Sequence, residues 1–201
     1  MKDPLFATRP ALGALELATV ARGIVALDQM VKRAENTVVA ARTLSPGRYF
    51  ILLSGNVAEI EEAMDAGREA AAEDRVDELI LRDPHPGLRA ALGDQLATEW
   101  QESLAIVETT SLASALTAVD VCLKGADVEL LELRLGAGLT GKGVFTLTGS
   151  LPMIQAVKDL VARAIPFERL IRLELIAQPH PDLPRHLLGA EGARPRGPRS
   201  A

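Results

Sequence analysis

Six aromatic side chains among 201 residues leave little with which to stack a base or a sugar ring. Cysteine occurs once, at Cys122, so no internal disulfide can form and a reducing, cytoplasmic setting is expected. Basic charge is not in excess. The 22 Lys and Arg are outnumbered by 27 Asp and Glu, and a net charge of −5 lacks the field that nucleic acid requires. No apolar run approaches the roughly 18–20 residues of a membrane helix, and the opening MKDPLFATRP has no signal-peptide core. Neither nucleic acid nor a membrane is therefore expected as a partner. His85, His180 and His186 have no Cys, His or carboxylate companions at ligand spacing, so no metal and no cofactor is expected. No Ser/His/Asp or Cys/His constellation stands out either, which argues against an enzyme.

The chain is instead written twice. ALGALELATVARGIVALDQMVKRA at 11–34 matches SLAIVETTSLASALTAVDVCLKGA at 103–126, at an offset of 92 residues. Leu12, Glu16, Ala21, Ala26, Asp28, Lys32 and Ala34 recur as Leu104, Glu108, Ala113, Ala118, Asp120, Lys124 and Ala126. RYFILLSGN at 48–56 meets KGVFTLTGS at 142–150, and PHPGL at 84–88 meets PHPDL at 179–183, the offset rising to 94 and then 95. An offset that grows at loops and holds within elements is the mark of tandem duplication.

Each copy reads as strand, helix, two strands, helix, strand. Residues 11–18 form a short apolar strand, and Thr19 caps a helix with Val20, Ile24, Leu27 and Val31 at helical spacing. Copy two repeats this with Ser111 as cap and Leu112, Leu116, Val119 and Leu123 as stripe. Two strands follow (NTVVAARTL and RYFILLS, then VELLELRLG and VFTLTG), and a second helix opens at Asn56, with Glu59 completing a capping box, or at Ser150. A fourth strand leads to the Pro-His-Pro corner and a short helical segment. The order β-α-β-β-α-β, twice, gives an α+β fold of two tandem ferredoxin-like domains. The expected division is a tail at 1–9, a first domain at 10–93, a linker at 94–102, a second domain at 103–188 and a disordered tail at 189–201.

GAGLTGKG at 136–143 meets the phosphate-binding pattern G-x-x-x-x-G-K-[ST] except at its last position. A phosphate cradle needs a helix after the loop, whereas VFTLTG reads as a strand, and LSPGRY stands at the same point of copy one. Nucleotide binding is not expected. The repeated carboxylates Glu16/Glu108 and Asp28/Asp120 fall within regular elements and are expected to serve packing or capping. Cys122 stands where copy one has Met30 and reads as a core thiol. Lys32 and Lys124 end their helices, where a cation offsets the carbonyl dipole.

This duplicated series, with its D-x-x-x-K-x-A helix end, its G-[NS] turn and its Pro-His-Pro corner, resembles the bacterial microcompartment (BMC) shell domain. It does so twice, in unpermuted order, as in the tandem-domain trimeric shell proteins. The resemblance implies a structural protein whose three chains form a pseudohexagonal tile that joins hexameric and pentameric tiles in a cytoplasmic shell. It implies that Ser45, Pro46 and Gly47 alternate with Gly136, Ala137, Gly138, Leu139, Thr140, Gly141 and Lys142 around a pore for small metabolites. It places Lys32 and Lys124 at the tile edge, beside the His85 and His180 corners. Asp83 and Gln178 stand where many members have an arginine, and neither loop has the cysteine that holds an iron–sulfur cluster in some relatives. The alternative is a tandem ferredoxin-like sensor holding a small effector between its two copies.

Overall fold

The computed structural model describes residues 11–97, 101–136, 138–181, 183 and 187. The expected tails, and Ala137 of the second loop, lie outside the described residues.

Copy one runs β1 (Ala11–Leu17), α1 (Val20–Arg33), β2 (Thr37–Leu44), β3 (Arg48–Gly55), α2 (Val57–Ala71) and β4 (Arg75–Leu81), then a short helix α3 (Pro86–Leu92). Copy two runs β5 (Ser103–Thr109), α4 (Leu112–Gly125), β6 (Val128–Leu135), β7 (Gly143–Gly149), α5 (Leu151–Ala164) and β8 (Leu170–Ile176). Each copy folds into a four-stranded antiparallel sheet, in the orders β2-β3-β1-β4 and β6-β7-β5-β8. The duplication extends to irregularities: pairing slips at Val38/Ala40 and at Leu130/Glu132, and again at Glu16/Leu17 and Glu108/Thr109.

β1 is buried along its whole length, which explains its near-continuous apolar run. Its odd-numbered residues Ala11, Leu15 and Leu17 join Met30, Ile51, Ile60 and Met64 in a core roofed by α1 and α2. Its even-numbered residues Leu12 and Ala14 join Phe50, Leu52 and Leu79 in a second core, which continues into copy two through Leu112, Leu116 and Val119 of α4. Helix α4 therefore covers the sheet face that copy one's own helices leave bare.

The two first helices differ in which residues they bury. In α1 only Gly23, Ala26 and Met30 are buried, while ten residues of α4 are. The expected stripe Leu112, Leu116, Val119 and Leu123 is buried in α4. Its counterpart in α1 is not: Ile24 is 54% exposed and Val31 42%. The small residues of α1 face the sheet because α1 lies close to β3. A side-chain carbon on Gly23 would run into Tyr49.

The expected caps also divide. Asn56 N–H donates to Glu59 Oε2 at 2.9 Å, as a capping box requires, and Ser111 Oγ accepts from Ser114 N–H at 3.2 Å. Thr19 sits at the N-cap position but gives its hydroxyl to Asp74 instead.

Candidate functional site

Two regions gather the residues that the sequence singles out: the joint between the copies and the pair of loops beside it. At the joint, the N-terminus of α4 meets β1 and β4. Its unpaired N–H groups and positive dipole end call for an anion, and two acidic side chains of copy one supply it. Glu16 Oε1 accepts from Ala113 N–H at 2.8 Å. Asp77 accepts the hydroxyls of Ser111 and of Ser114, the latter at 2.6 Å. Glu16 is fully buried and its Oε2 has no hydrogen-bond partner among the described residues. Burial pushes its carboxyl up to about 7, the charge of Asp77 adds to the rise, and the Ala113 N–H and the Arg48 guanidinium oppose it.

At the other end of α4, Asp120 is 3% exposed. It accepts from His85 N–H at 2.6 Å and from Lys124 Nζ at 2.6 Å. Lys124 also donates to the Asp83 carbonyl, tying the first Pro-His-Pro corner to α4. His85 itself caps α3, its Nδ1 accepting from Gly87 N–H. Asp120 is thus the satisfied packing partner that its repetition suggests, and Lys124 and His85 lie at the margin of the domain joint, Lys124 with 44% of its side chain exposed and His85 half-buried. Asp28 and Lys32, their counterparts on α1, pair with each other on an open surface at 2.7 Å. Cys122 is buried in the core and its thiol is pushed up to about 12 by desolvation, as a core residue in copy two's counterpart of Met30 should be.

The loops lie side by side. Arg42 donates to the Leu135 carbonyl at 2.6 Å, Gly136 abuts the Leu44 side chain, and Gly141 abuts the Ser45 carbonyl. Positive φ at Gly136 (79°), Gly138 (67°) and Gly141 (78°) is why this turn is rich in glycine, and Thr140 (50°) adopts it too. Ser45, Pro46, Gly47, Gly138 and Thr140 are exposed, whereas Gly136 and Gly141 are buried between the loops and Leu139 and Lys142 are half-buried. β7 follows the loop where a phosphate site needs a helix, and Lys142 Nζ is held by Glu108 at 2.8 Å. Arg48, its counterpart in copy one, donates to the Thr110 carbonyl. Both cations behind the loops are therefore engaged in the framework.

The sequence does not announce the joint. Asp77 and Ser114 carry no motif and Ser111 reads only as a helix cap, so only the strongly apolar character of α4 relative to α1 could have pointed to it. Where the two copies meet, side chains of α4 pack into one continuous core with the first sheet.

The BMC domain model matches residues 11–84 and again 103–179. The chain is 26% identical over 179 residues to the bacterial microcompartment shell protein PduT of Citrobacter freundii, spanning 89% of this chain and 97% of that protein. A crystal structure of a microcompartment protein from Desulfitobacterium hafniense superposes with a TM-score of 0.76 at 34% identity, covering 88% of this chain and 99% of the other. A fused, permuted hexameric shell protein of the RMM microcompartment shares the fold, with a TM-score of 0.55 at 17% identity and coverage of 76% and 79%. The chain belongs to the BMC-domain family and carries two copies of the domain in tandem.

Proposed function

We propose that the chain is a non-enzymatic shell tile of a bacterial microcompartment, three copies closing head to tail into a ring of six domains. The observation that carries this reading is the inequality of α1 and α4. α4 is buried against the outer face of the first sheet, while the equivalent face of α1 leaves Ile24, Val25 and Val31 exposed. On the second sheet, Arg172 of β8 is 73% exposed and Ile171 39%. A joint like the internal one, formed between chains, would set the second sheet of one chain against α1 of the next. A head-to-tail joint of this kind closes into a ring when its rotation permits.

In that ring Ser45, Pro46 and Gly47 would alternate with Gly136 to Lys142 about the axis. With Lys142 and Arg48 held by the framework, the lining is backbone, hydroxyl and small side chains, suited to small polar metabolites. Lys32 and Lys124, with the His85 and His180 corners, would face neighbouring tiles, hexameric and pentameric ones among them. Imaging of the purified protein tests the arrangement directly. The expected particle has three times the 21.4 kDa of one chain, with both loops at the three-fold axis and the two lysines on its rim. Loops far from the axis, or lysines buried within the trimer, would overturn it.

A further inference from the structure

The internal joint contains an ion pair whose counterpart between chains has its signs exchanged. Arg169 precedes β8 and reaches back to copy one, its Nε 3.9 Å from Asp77 Oδ2 and its Nη2 donating to the Val76 carbonyl at 2.6 Å. Backbone pairing fixes the equivalences. Ala18 N–H donates to the Asp74 carbonyl and Thr110 N–H to the Arg169 carbonyl, so Asp74 stands in copy one where Arg169 stands in copy two. Glu16 pairs with Asp77 across β1/β4 and Glu108 with Arg172 across β5/β8, so Arg172 stands where Asp77 does. Arg169 and Asp77 inside the chain therefore become Asp74 and Arg172 at a second joint between chains. The carboxylate of Asp74 cannot repeat the donation to a backbone carbonyl, so charge is what the second joint can keep.

We propose that Asp74 of one chain pairs with Arg172 of the next, and that this exchange of sign makes the tile select a second copy of this chain in alternating domain order. The inference rests on the head-to-tail ring. Arg172 is available for it: its side chain is 73% exposed and its present partner, Glu174, lies 3.4 Å away on the same strand and is 63% exposed. A joint between two first domains would set Asp74 against Asp77, and one between two second domains would set Arg169 against Arg172. Either like-charged register is penalised while the alternating one is not. An exposed pair adds little to affinity, but like charges placed opposite each other discriminate strongly between partners.

The test is charge reversal in the full chain, read by analytical ultracentrifugation across a concentration series. Asp74→Arg and Arg172→Asp should each raise the concentration at half-assembly by about tenfold or more, and the double variant should return toward wild type. Arg172→Asp alters an exposed side chain, so it carries the test alone if Asp74→Arg disturbs the turn that Thr19 braces. A wild-type trimer indifferent to both reversals, or a double variant no better than the worse single one, overturns the pairing while leaving the ring intact. A wild-type chain that does not self-associate overturns the ring, and the pairing with it.

Discussion

Glu16 is a carboxyl held where water does not reach, with one oxygen bonded to Ala113 N–H and the other without a hydrogen-bond partner among the described residues. Its folded value of about 7 lies above the ordinary 4.5, so the folded chain binds that proton more tightly than the unfolded chain does. The contribution is therefore most favourable below about pH 4.5, declines as the pH rises to about 7, and is flat beyond. Gln in its place retains an oxygen for Ala113 and removes the titration. Glu16→Gln should gain on wild type steadily across that window, by at most about 3 kcal/mol at pH 8, in thermal or urea unfolding followed at several pH values. A gap that shrinks as pH rises would show that Glu16 is ionised without strain. Glu108, its repeat, shows what a different setting does: half-buried and paired with Lys142, it has its counter-charge within the same domain.

Between elements, the two copies solve one packing problem in opposite ways. Where the first helix crosses the second sheet strand, copy one places Gly23 against Tyr49, and copy two places Ala115 against Gly143. The glycine changes sides and the helix stays close to the sheet in both. Gly23→Ala should drive the helix off Tyr49 and cost about 1–3 kcal/mol in unfolding free energy, despite the better helix propensity of alanine. A neutral or stabilising result would mean that Tyr49 turns aside freely. This crossing also shows where the sequence is legible and where it is not. The order of elements along the chain, helix positions and the Asn56 and Ser111 caps follow from periodicity and local chemistry, because those are interactions within a few residues. The buried face of α1 does not. Val20, Ile24, Leu27 and Val31 make the more hydrophobic stripe, yet Gly23, Ala26 and Met30 are the residues fully buried against the sheet, the close approach at Gly23 and Ala26 favouring small side chains, while Val20 and Leu27 pack at the margin. The candidate loops are visible as glycine and proline runs, whereas their adjacency comes from contacts between residues about ninety apart, such as Arg42 with Leu135.

For the whole molecule, the half of the stripe that does not pack becomes informative: Val20 and Leu27 lie against copy one's core, but Ile24 and Val31 are exposed, and that hydrophobicity must be explained by something else. The equivalent positions give the comparison: Leu116 and Leu123 of α4 are 0% and 8% exposed at the internal joint, while Ile24 and Val31 of α1 are 54% and 42% exposed. If the second joint forms only between chains, the same substitution at equivalent positions must have unequal effects. Leu116→Glu buries an unpaired charge between the domains and should cost at least about 3 kcal/mol, seen as loss of cooperative unfolding or of soluble protein. Ile24→Glu alters an exposed position in the single chain and should leave its stability within about 0.5 kcal/mol. It should nevertheless prevent trimers, because the charge would be buried as soon as a second chain docked. Sedimentation and circular dichroism on the same samples separate the two effects. Ile24→Glu chains that unfold would place that residue in the monomer's own core. Chains that remain trimeric would show that α1 faces solvent in the assembly, and its apolar surface would then have to serve contacts with other partners.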